Sequence, residues 1–399
     1  MKKWIGALVV CVMALGVSGI AQAQSAQKGG VVLIGDMQPL SGAAAYDGKL
    51  GHIGPQTAVQ DMNAAGGRII GGKHYTFTTK VYDHRYTSEG GATAANKLVF
   101  DDKVKYIAAP IGSAPTLAAQ AITEKNGVIL LATGWHKDVI GPKKPLTFRE
   151  YMSPDGFADA LVRWVAKEQP KVKKVAILTA NDATGYDSAR AGKAAWQEFG
   201  VEVVSTDFFE RETSDFYPYL ARYVDAKVDA IDMPGIASEH EGLIAKQSRE
   251  LGFKGLLLGN GMSPDVVANI AGNAAEGYVV RQGVPFGSKF ATPAEEEWNR
   301  KYTKEHNLKG DMSFLALSAY DAVWMLVKAM EVAGTVDDTK KVAEAMEKLE
   351  FQLPLAGVKS RYQGVKTYGI NRQLTRPIFF QQYQNGKWVV VGSAMPVIP

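Results

Sequence analysis

Short apolar segments rich in β-branched residues alternate with longer segments of helical periodicity along this chain of 399 residues. In the first half, the predicted strands are residues 31–34, 75–82, 106–109 and 128–131. The predicted helices between them are residues 52–65, 90–100 and 116–123. Because parallel strands need long crossover connections, usually helices, this alternation predicts an α/β fold with a parallel sheet and helices on both faces.

A second series of the same kind follows Phe148. Its predicted strands are residues 175–178, 201–208, 230–233 and 255–258, and its predicted helices are residues 189–199, 217–224 and 239–251. The two series share a layout but no evident sequence repeat, and the chain exceeds the length at which one hydrophobic core keeps growing. We therefore predict two similar lobes with a cleft between them.

The amino terminus has the pattern of a secretory signal. Lys2 and Lys3 precede an apolar run from Ile5 to Ile20, which ends in the small-residue sequence Ala21-Gln22-Ala23. The alternative, a membrane anchor, needs roughly 20 apolar residues, and this run is shorter. We predict cleavage after Ala23 (residues 1–23 removed) and a soluble mature protein in the periplasm, or outside the cell if the organism has no outer membrane.

The single cysteine, Cys11, lies inside this apolar run, so the mature protein has no disulfide. Val9 and Val10 precede it where a lipoprotein cleavage site needs small residues, which argues against a lipid anchor. With 46% hydrophobic and 22% charged residues the chain is globular rather than disordered. The formal charge of +4 is not concentrated in any block, so neither nucleic acid nor a polybasic membrane contact is predicted.

The carboxyl ends of the predicted strands are followed by small and polar residues. These loops are residues 36–42, 110–114 and 132–135 in the first series and 181–186, 234–236 and 259–262 in the second. Open α/β sheets bind ligands at this edge, where glycine and serine allow backbone N–H groups to approach a ligand. Tyr46, Trp135 and Tyr186 lie in or just after such loops and are candidate ligand-wall residues, although each alone is equally compatible with ordinary packing.

Catalytic and cofactor motifs are not evident. Gly112-Ser113-Ala114-Pro115 lacks the Gly-x-Ser-x-Gly frame of an exposed nucleophile, so Ser113 is interpreted as a hydrogen-bond donor to a ligand. The six histidines show no metal-ligand spacing, and there is neither a phosphate-binding loop nor a dinucleotide fingerprint. We therefore predict no metal, no cofactor and no enzymatic activity.

Several motifs, in this order and spacing, carry a family resemblance. They are Leu40-Ser41-Gly42 followed by Tyr46, Asn63-Ala64-Ala65-Gly66-Gly67, Gly71-Gly72-Lys73, Ile111-Gly112-Ser113, Asn181-Asp182 with Gly185, Ala274-Ala275-Glu276-Gly277, and Ser318-Ala319-Tyr320-Asp321-Ala322. The chain resembles the periplasmic leucine/isoleucine/valine-type (branched-chain amino acid family) solute-binding proteins of ABC transporters. The similarity covers essentially the whole mature chain.

The resemblance implies a type I periplasmic binding protein fold, with two Rossmann-like lobes joined by a three-strand hinge. The crossovers are expected near residues 148–151, 277–281 and 353–358. Lobe 1 would then comprise residues 24–149 plus 282–352, and lobe 2 residues 150–281 plus 353–399. The implied protein is a monomer that closes around a small ligand and delivers it to the permease subunits of an ABC importer, with no chemistry performed.

The resemblance also implies a site. Ser113 and the loop Ala132-Thr133-Gly134 would hold a ligand carboxylate, with Tyr46 as an aromatic neighbour. In the second lobe the family usually has tyrosine before the glycine that corresponds to Gly185. This chain has Thr184 there, with Tyr186 after the glycine.

The largest departure is at Gly261, where amino-acid-binding relatives commonly carry an acidic residue that pairs with the α-ammonium. Either Asp232 or Asp182 replaces that acid, or the ligand has no α-ammonium. Burying an ammonium without a partner costs several kcal/mol. We favour the second alternative, with an aromatic or other small organic carboxylate, or an amide, as the ligand.

Two other functions stay open at this point. A ligand sensor for a membrane receptor would have the same fold and site. An exported hydrolase would need a base beside a serine nucleophile, and His136 is the one histidine at a convincing strand end.

Overall fold

The structure, a computed structural model, describes residues 27–42, 44–396 and 398. The predicted signal segment and its cleavage site after Ala23 therefore lie outside the described residues. Of Gln282, only the backbone is described.

The regular elements follow the predicted alternation closely. The strands are β1 (Gln27–Gln38), β2 (Arg68–Ile70), β3 (Lys73–Asp83), β4 (Tyr106–Ala108), β5 (Ile129–Ala132), β6 (Thr147–Arg149), β7 (Lys174–Ala180), β8 (Glu202–Phe209), β9 (Ala230–Asp232), β10 (Leu256–Gly259), β11 (Val279–Gly283), β12 (Phe351–Gln352), β13 (Lys359–Ser360), β14 (Tyr362–Gln363), β15 (Gln373–Leu374), β16 (Ile378–Gln384) and β17 (Lys387–Ala394). The α-helices are α1 (Ala45–Ala64), α2 (Ser88–Asn96), α3 (Ser113–Thr123), α4 (Pro154–Glu168), α5 (Ala183–Glu198), α6 (Tyr217–Asp225), α7 (Ser238–Glu250), α8 (Pro264–Ala271), α9 (Pro293–Glu305), α10 (Phe314–Ala333), α11 (Thr339–Lys348) and α12 (Val365–Tyr368).

Within the described residues, fifteen strands form two large sheets, one in each lobe, and β12 and β13 pair separately as a two-stranded antiparallel sheet. The first sheet has eight strands in the order β14-β15-β6-β5-β4-β1-β3-β2, and the second has seven in the order β17-β16-β11-β10-β9-β7-β8. The central strands of both sheets are parallel, and antiparallel pairs occur toward the edges. The strand β5, Ile129–Ala132, is buried on both faces, as parallel strands covered by helices are. The predicted two-lobed α/β fold is confirmed.

Helix α10 shows how a segment from late in the chain completes the first lobe. Ser313 caps its start by accepting from the N–H of Ala316, and Gly334, with φ +67°, ends it. The helix is buried around most of its circumference because it packs against α1. Gly54 of α1 makes this approach possible, since an added Cβ would lie 2.4 Å from the carbonyl oxygen of Ala316.

The strand pairing corrects the predicted position of the third crossover. Strands β14 and β15 extend the first sheet beside β6, and Tyr362 packs on Phe148 with ring centroids 4.8 Å apart. Leu353 and Leu374 belong to the first lobe's core, so the chain enters the second sheet only between Leu374 and Ile378. Residues 353–374 therefore lie with lobe 1. The short strands and turns of this segment carry no periodic pattern that would assign them to a sheet.

The other two crossovers lie close to the expected positions. The first follows β6 and leads into α4. The second begins after Gly283 rather than at residues 277–281, because β11 is a full strand of the second sheet. Val284 and Phe286 then join the first lobe's core.

Candidate ligand-binding cleft

A cavity lies between the two lobes at the carboxyl ends of their strands. It has about 320 Å³ of atom-free space, including its opening to solvent, and is lined by Tyr86, Ile111, Gly112, Thr133, Trp135, Tyr151, Thr184, Gly235, Met262 and Leu315. None of these side chains is a carboxylate, an ammonium or a guanidinium. Burial raises the pKa of both Tyr86 and Tyr151, which keeps the two phenols neutral. The described lining is therefore uncharged and largely aromatic or apolar.

The amino terminus of α3 forms one end of the cavity. Ser113 is fully buried, and its Oγ accepts from the backbone N–H groups of Trp135 (3.0 Å) and His136 (2.9 Å). This ties the loop after β5 to the start of α3. Gly112 has φ +100°, and an added Cβ would lie 2.7 Å from the ring of Tyr86, so the close approach of that ring requires glycine. Thr133 donates its hydroxyl proton to the carbonyl oxygen of Pro110.

Thr184 joins the two lobes across the cavity. Its Oγ1 donates to Ser113 Oγ at 3.0 Å and accepts from the Ser113 N–H at 3.2 Å. The Tyr86 hydroxyl lies 3.3 Å from the same oxygen. Asp182 caps α5 by accepting from the N–H groups of Thr184 and Gly185, which fixes Thr184 at the helix start. The lobes are therefore in direct contact, in a closed arrangement.

Tyr86 is a cavity residue that the sequence did not identify. Arg85 and Tyr86 both have positive φ, 54° and 61°, which is uncommon for residues other than glycine and often marks functional sites. His84 supports this turn, because its Nδ1 accepts from the Tyr86 N–H at 3.0 Å. Burial lowers the pKa of His84 to about 4, so the ring is neutral and can accept. The guanidinium of Arg211, from the second lobe, lies 4.0 Å from the Tyr86 ring centroid.

Only some of the predicted aromatic wall lines the cavity. Trp135 does, and it packs against Phe157 with ring centroids 4.7 Å apart. Tyr46 is 39% exposed and Tyr186 is 49% exposed, and neither lines the cavity. The Tyr186 hydroxyl instead donates to Asn181.

The loop Ala132-Thr133-Gly134 reaches the cavity through Thr133 alone. Ala132 is fully buried within β5. Gly134 is packed against Thr116, whose Oγ1 would lie 3.1 Å from an added Cβ. Neither residue is among those that line the cavity.

Asp232 and Asp182, the two residues predicted as alternatives to an acid near Gly261, both form ion pairs outside the cavity. Asp232 is buried in an ion pair with Arg281 and accepts from Trp196 Nε1 at 2.8 Å. Asp182 pairs with Arg211 at 2.6 Å. Gly261 has φ +81°, and an added Cβ would lie 2.5 Å from Val280 Cβ, so an acidic side chain does not fit on this backbone. Neither aspartate lines the cavity, and in the described part of the chain no carboxylate is among the lining residues.

The serine at the site is not set up for nucleophilic chemistry. Ser113 Oγ is hydrogen-bonded to two backbone N–H groups and to the Thr184 hydroxyl. The His136 ring faces away, since its Nδ1 accepts from the Asp138 N–H. Between residues 27 and 398, in the described part of the chain, no group of three His, Cys, Asp or Glu residues could hold a metal ion.

Comparison with known proteins identifies the family. The family described as "Periplasmic binding protein" matches residues 31–387. The chain belongs to this family. Its members bind solutes and are not enzymes.

Relatives of this periplasmic binding protein include several Leu/Ile/Val-binding proteins. The Leu/Ile/Val-binding protein BraC3 of Rhizobium johnstonii is 28% identical over 367 residues, which is 90% of this chain and 93% of the relative.

The described part of this chain contains no helix that is both long and apolar enough to cross a membrane.

Solved structures share the fold. The leucine-binding protein LivK of Thermotoga maritima superposes with a TM-score of 0.77 at 21% identity, covering 91% of this chain and 98% of LivK. A solute-binding protein of an ABC transporter from Rhodopseudomonas palustris BisB5, in complex with 3,4-dihydroxybenzoic acid, has a TM-score of 0.75 at 21% identity and covers 92% and 98% of the two chains. This one fold therefore accommodates ligands of both kinds.

Proposed function

We propose that this protein is the periplasmic binding component of an ABC importer that captures a small carboxylate without an α-ammonium, preferably an aromatic one, and delivers it to the membrane permease. The observation that carries the proposal is the cavity lining, which contains no charged side chain. The family resemblance implies an acid near Gly261, and this chain has glycine there, where an added Cβ would lie 2.5 Å from Val280 Cβ. Export rests on the signal pattern of residues 1–23.

The start of α3 is suited to hold the carboxylate. The dipole of a helix amino terminus favours an anion. Of the first three residues of α3, Ser113 has its N–H bonded to Thr184 Oγ1 and Pro115 has no N–H, so the Ala114 N–H is the one left to face a ligand. Ser113 Oγ accepts from the backbone N–H groups of Trp135 and His136, which occupy both of its lone pairs. Toward a ligand oxygen it can therefore act only as a donor, in exchange for its contact with Thr184 Oγ1. A hydrogen bond of this kind to a charged group contributes about 1.5–3 kcal/mol.

The remaining lining is suited to a ring. Trp135, Tyr86 and Tyr151 supply aromatic faces, and Met262, Ile111 and Leu315 supply apolar contacts. Aromatic pairs contribute about 0.5–1.5 kcal/mol beyond their buried area. The Rhodopseudomonas palustris structure with 3,4-dihydroxybenzoic acid supports this ligand class by analogy of fold.

An amino acid is expected to bind poorly. Its ammonium would enter an uncharged cavity, and a desolvated, unpaired charge costs several kcal/mol. The cavity would thus select carboxylates without an amine over amino acids, both by contacting the first and by excluding the ammonium of the second.

Calorimetry on matched pairs tests the proposal. We expect phenylpropionate to bind far more tightly than phenylalanine, and 4-methylpentanoate far more tightly than leucine. Benzoate and 4-hydroxybenzoate extend the series. A ligand at 100 times its Kd should stabilise the protein by about 2.7 kcal/mol, so thermal shift can rank the candidates first. Tight binding of leucine or phenylalanine, with weak binding of the amine-free partners, would refute the proposed ligand class.

A further inference from the structure

Asp47, in the first turn of α1, contacts the second lobe although it does not line the cavity. Its side chain is fully buried. One oxygen, Oδ1, accepts from Ser263 Oγ at 2.5 Å and from Ser238 Oγ at 3.0 Å. The other, Oδ2, accepts from the Ser238 N–H at 3.3 Å. All three donors belong to lobe 2.

The two serines lie at the starts of two helices. Ser238 is the first residue of α7, and Ser263 immediately precedes α8. Ser238 Oγ also accepts from the Ser263 N–H at 3.1 Å, which joins the two helix starts. A carboxylate placed there is stabilised by both helix dipoles.

The same two segments supply cavity residues. Gly235 lies just before α7 and Met262 just before α8, and both line the cavity. A contact that fixes Ser238 and Ser263 therefore also fixes Gly235 and Met262. Asp47 reaches the ligand site through these segments without touching the ligand.

We infer that Asp47 with Ser238 and Ser263 forms a closure latch, in which Asp47 is a positioning residue whose bonds exist only when the cleft is closed. The inference rests on the proposed function in that ligand binding closes the cleft. When the lobes separate, the carboxylate leaves all three donors and is hydrated instead. The latch therefore contributes to retention of the ligand while contributing little to the fold of either lobe.

Asp61, on the same helix, provides a matched control. It accepts from the hydroxyls of Tyr302 (2.5 Å) and Tyr320 (3.0 Å) and pairs with Lys301 (2.7 Å), all within lobe 1. Closure should leave these contacts unchanged. Asp61→Asn and Asp47→Asn each remove a carboxylate from α1. The first is expected to lower stability, and the second to weaken ligand binding.

The test compares Asp47→Asn, Asp47→Ala and Asp61→Asn for binding of phenylpropionate. We expect Asp47→Ala, which removes all three bonds, to raise Kd about tenfold or more, mainly through faster dissociation, with the Tm of the ligand-free protein unchanged. Asp47→Asn keeps one acceptor oxygen and should raise Kd less. Asp61→Asn should lower that Tm and leave Kd unchanged. Ser263→Ala should weaken binding alone but add little in the Asp47→Ala background, since the two act as a unit. Wild-type dissociation rates in both Asp47 variants would overturn the latch.

The latch can be tested even if the proposed ligand class is wrong. If leucine rather than phenylpropionate binds the wild-type protein, the same comparison is run with leucine. If neither binds, Asp47→Cys is combined with Ser263→Cys in the mature chain, which otherwise lacks cysteine because Cys11 lies in the signal segment. We expect the ligand-free cleft to close transiently, so a short bifunctional thiol reagent should slowly accumulate the joined pair. A pair that is never joined would show that the contact does not form.

Discussion

Two buried aspartates near the cleft, Asp47 and Asp232, differ in where their partners lie. Asp232 pairs with Arg281 and accepts from Trp196, and all three belong to lobe 2. Asp47 has its hydrogen-bond donors in the opposite lobe. Burial alone therefore does not reveal what a carboxylate does. A partner within the lobe indicates a role in folding, and a partner across the cleft indicates a role in closure.

The largest expected effect is on stability, and it comes from substitution of Asp232. Asp232→Ala leaves the guanidinium of Arg281 buried and uncompensated, since both side chains are at most 1% exposed. Loss of one partner of a buried pair costs about 3–5 kcal/mol of unfolding free energy. Urea denaturation of the ligand-free protein measures this.

Asp159→Ala is the control for this prediction. Asp159 pairs with Arg163 on the surface of α4, where both side chains are substantially exposed. Such pairs contribute about 0–1 kcal/mol. If the two variants unfold at the same urea concentration, the structural role assigned to Asp232 is wrong.

A smaller effect, on binding, is expected at Ser113. Ser113→Ala removes a donor to the ligand carboxylate and the acceptor for the N–H groups of Trp135 and His136. We expect Kd for phenylpropionate to rise about tenfold or more, because a hydrogen bond to a charged group contributes about 1.5–3 kcal/mol. Calorimetry measures Kd, and circular dichroism checks that the fold is retained.

Ser248→Ala is a suitable control, because Ser248 is a buried serine whose hydroxyl donates within α7 to the carbonyl of Ala245. It should leave Kd unchanged. Equal affinities of Ser113→Ala and the wild-type protein would remove Ser113 from the site.

The sequence predicted the elements whose signals are local or periodic. Buried strands and amphipathic helices repeat with characteristic spacing, and the strand ends bring Ser113, Thr133, Trp135 and Thr184 to one edge. Thr133, Trp135 and Thr184 line the cavity, and Ser113 lies beside it in contact with Thr184. Their contact with a ligand stays a prediction.

What the sequence missed depends on long-range geometry. Tyr86 reaches the cavity because Arg85 and Tyr86 itself both have positive φ. Neither is a glycine, so the sequence carries no signal of this turn. Asp47 is one residue from Tyr46, yet Asp47 is buried while Tyr46 is 39% exposed. Successive residues on a helix face different directions, so a motif that identifies one does not place its neighbour. The third crossover was misplaced because β14 and β15 have two residues each.

The smallest effect is expected from pH, through the carboxyl groups of Asp47 and Glu239. Burial raises the pKa of Asp47, partly offset by the bonds from Ser263 and Ser238 and by the charge of Arg211. Burial and the charge of Asp47 raise the pKa of Glu239 to about 7. Burial also raises the pKa of the neighbouring groups Tyr46 and Asp265.

These shifts fix the sign of the pH dependence. If opening the cleft hydrates Glu239 and Asp47, their pKa values fall toward the ordinary range, so the closed form binds protons more strongly. Closure is then favoured as pH falls through the closed-state pKa of about 7 for Glu239. Phenylpropionate is ionised throughout the range from pH 8 to pH 6. Its affinity should increase by at most about tenfold as the pH is lowered from 8 to 6. Calorimetry across this range measures it, and Glu239→Gln should flatten most of the dependence. If affinity instead falls as the pH is lowered to 6, closure does not bury these carboxyl groups. The assignment of Asp47 to closure and of Asp232 to folding would then be wrong.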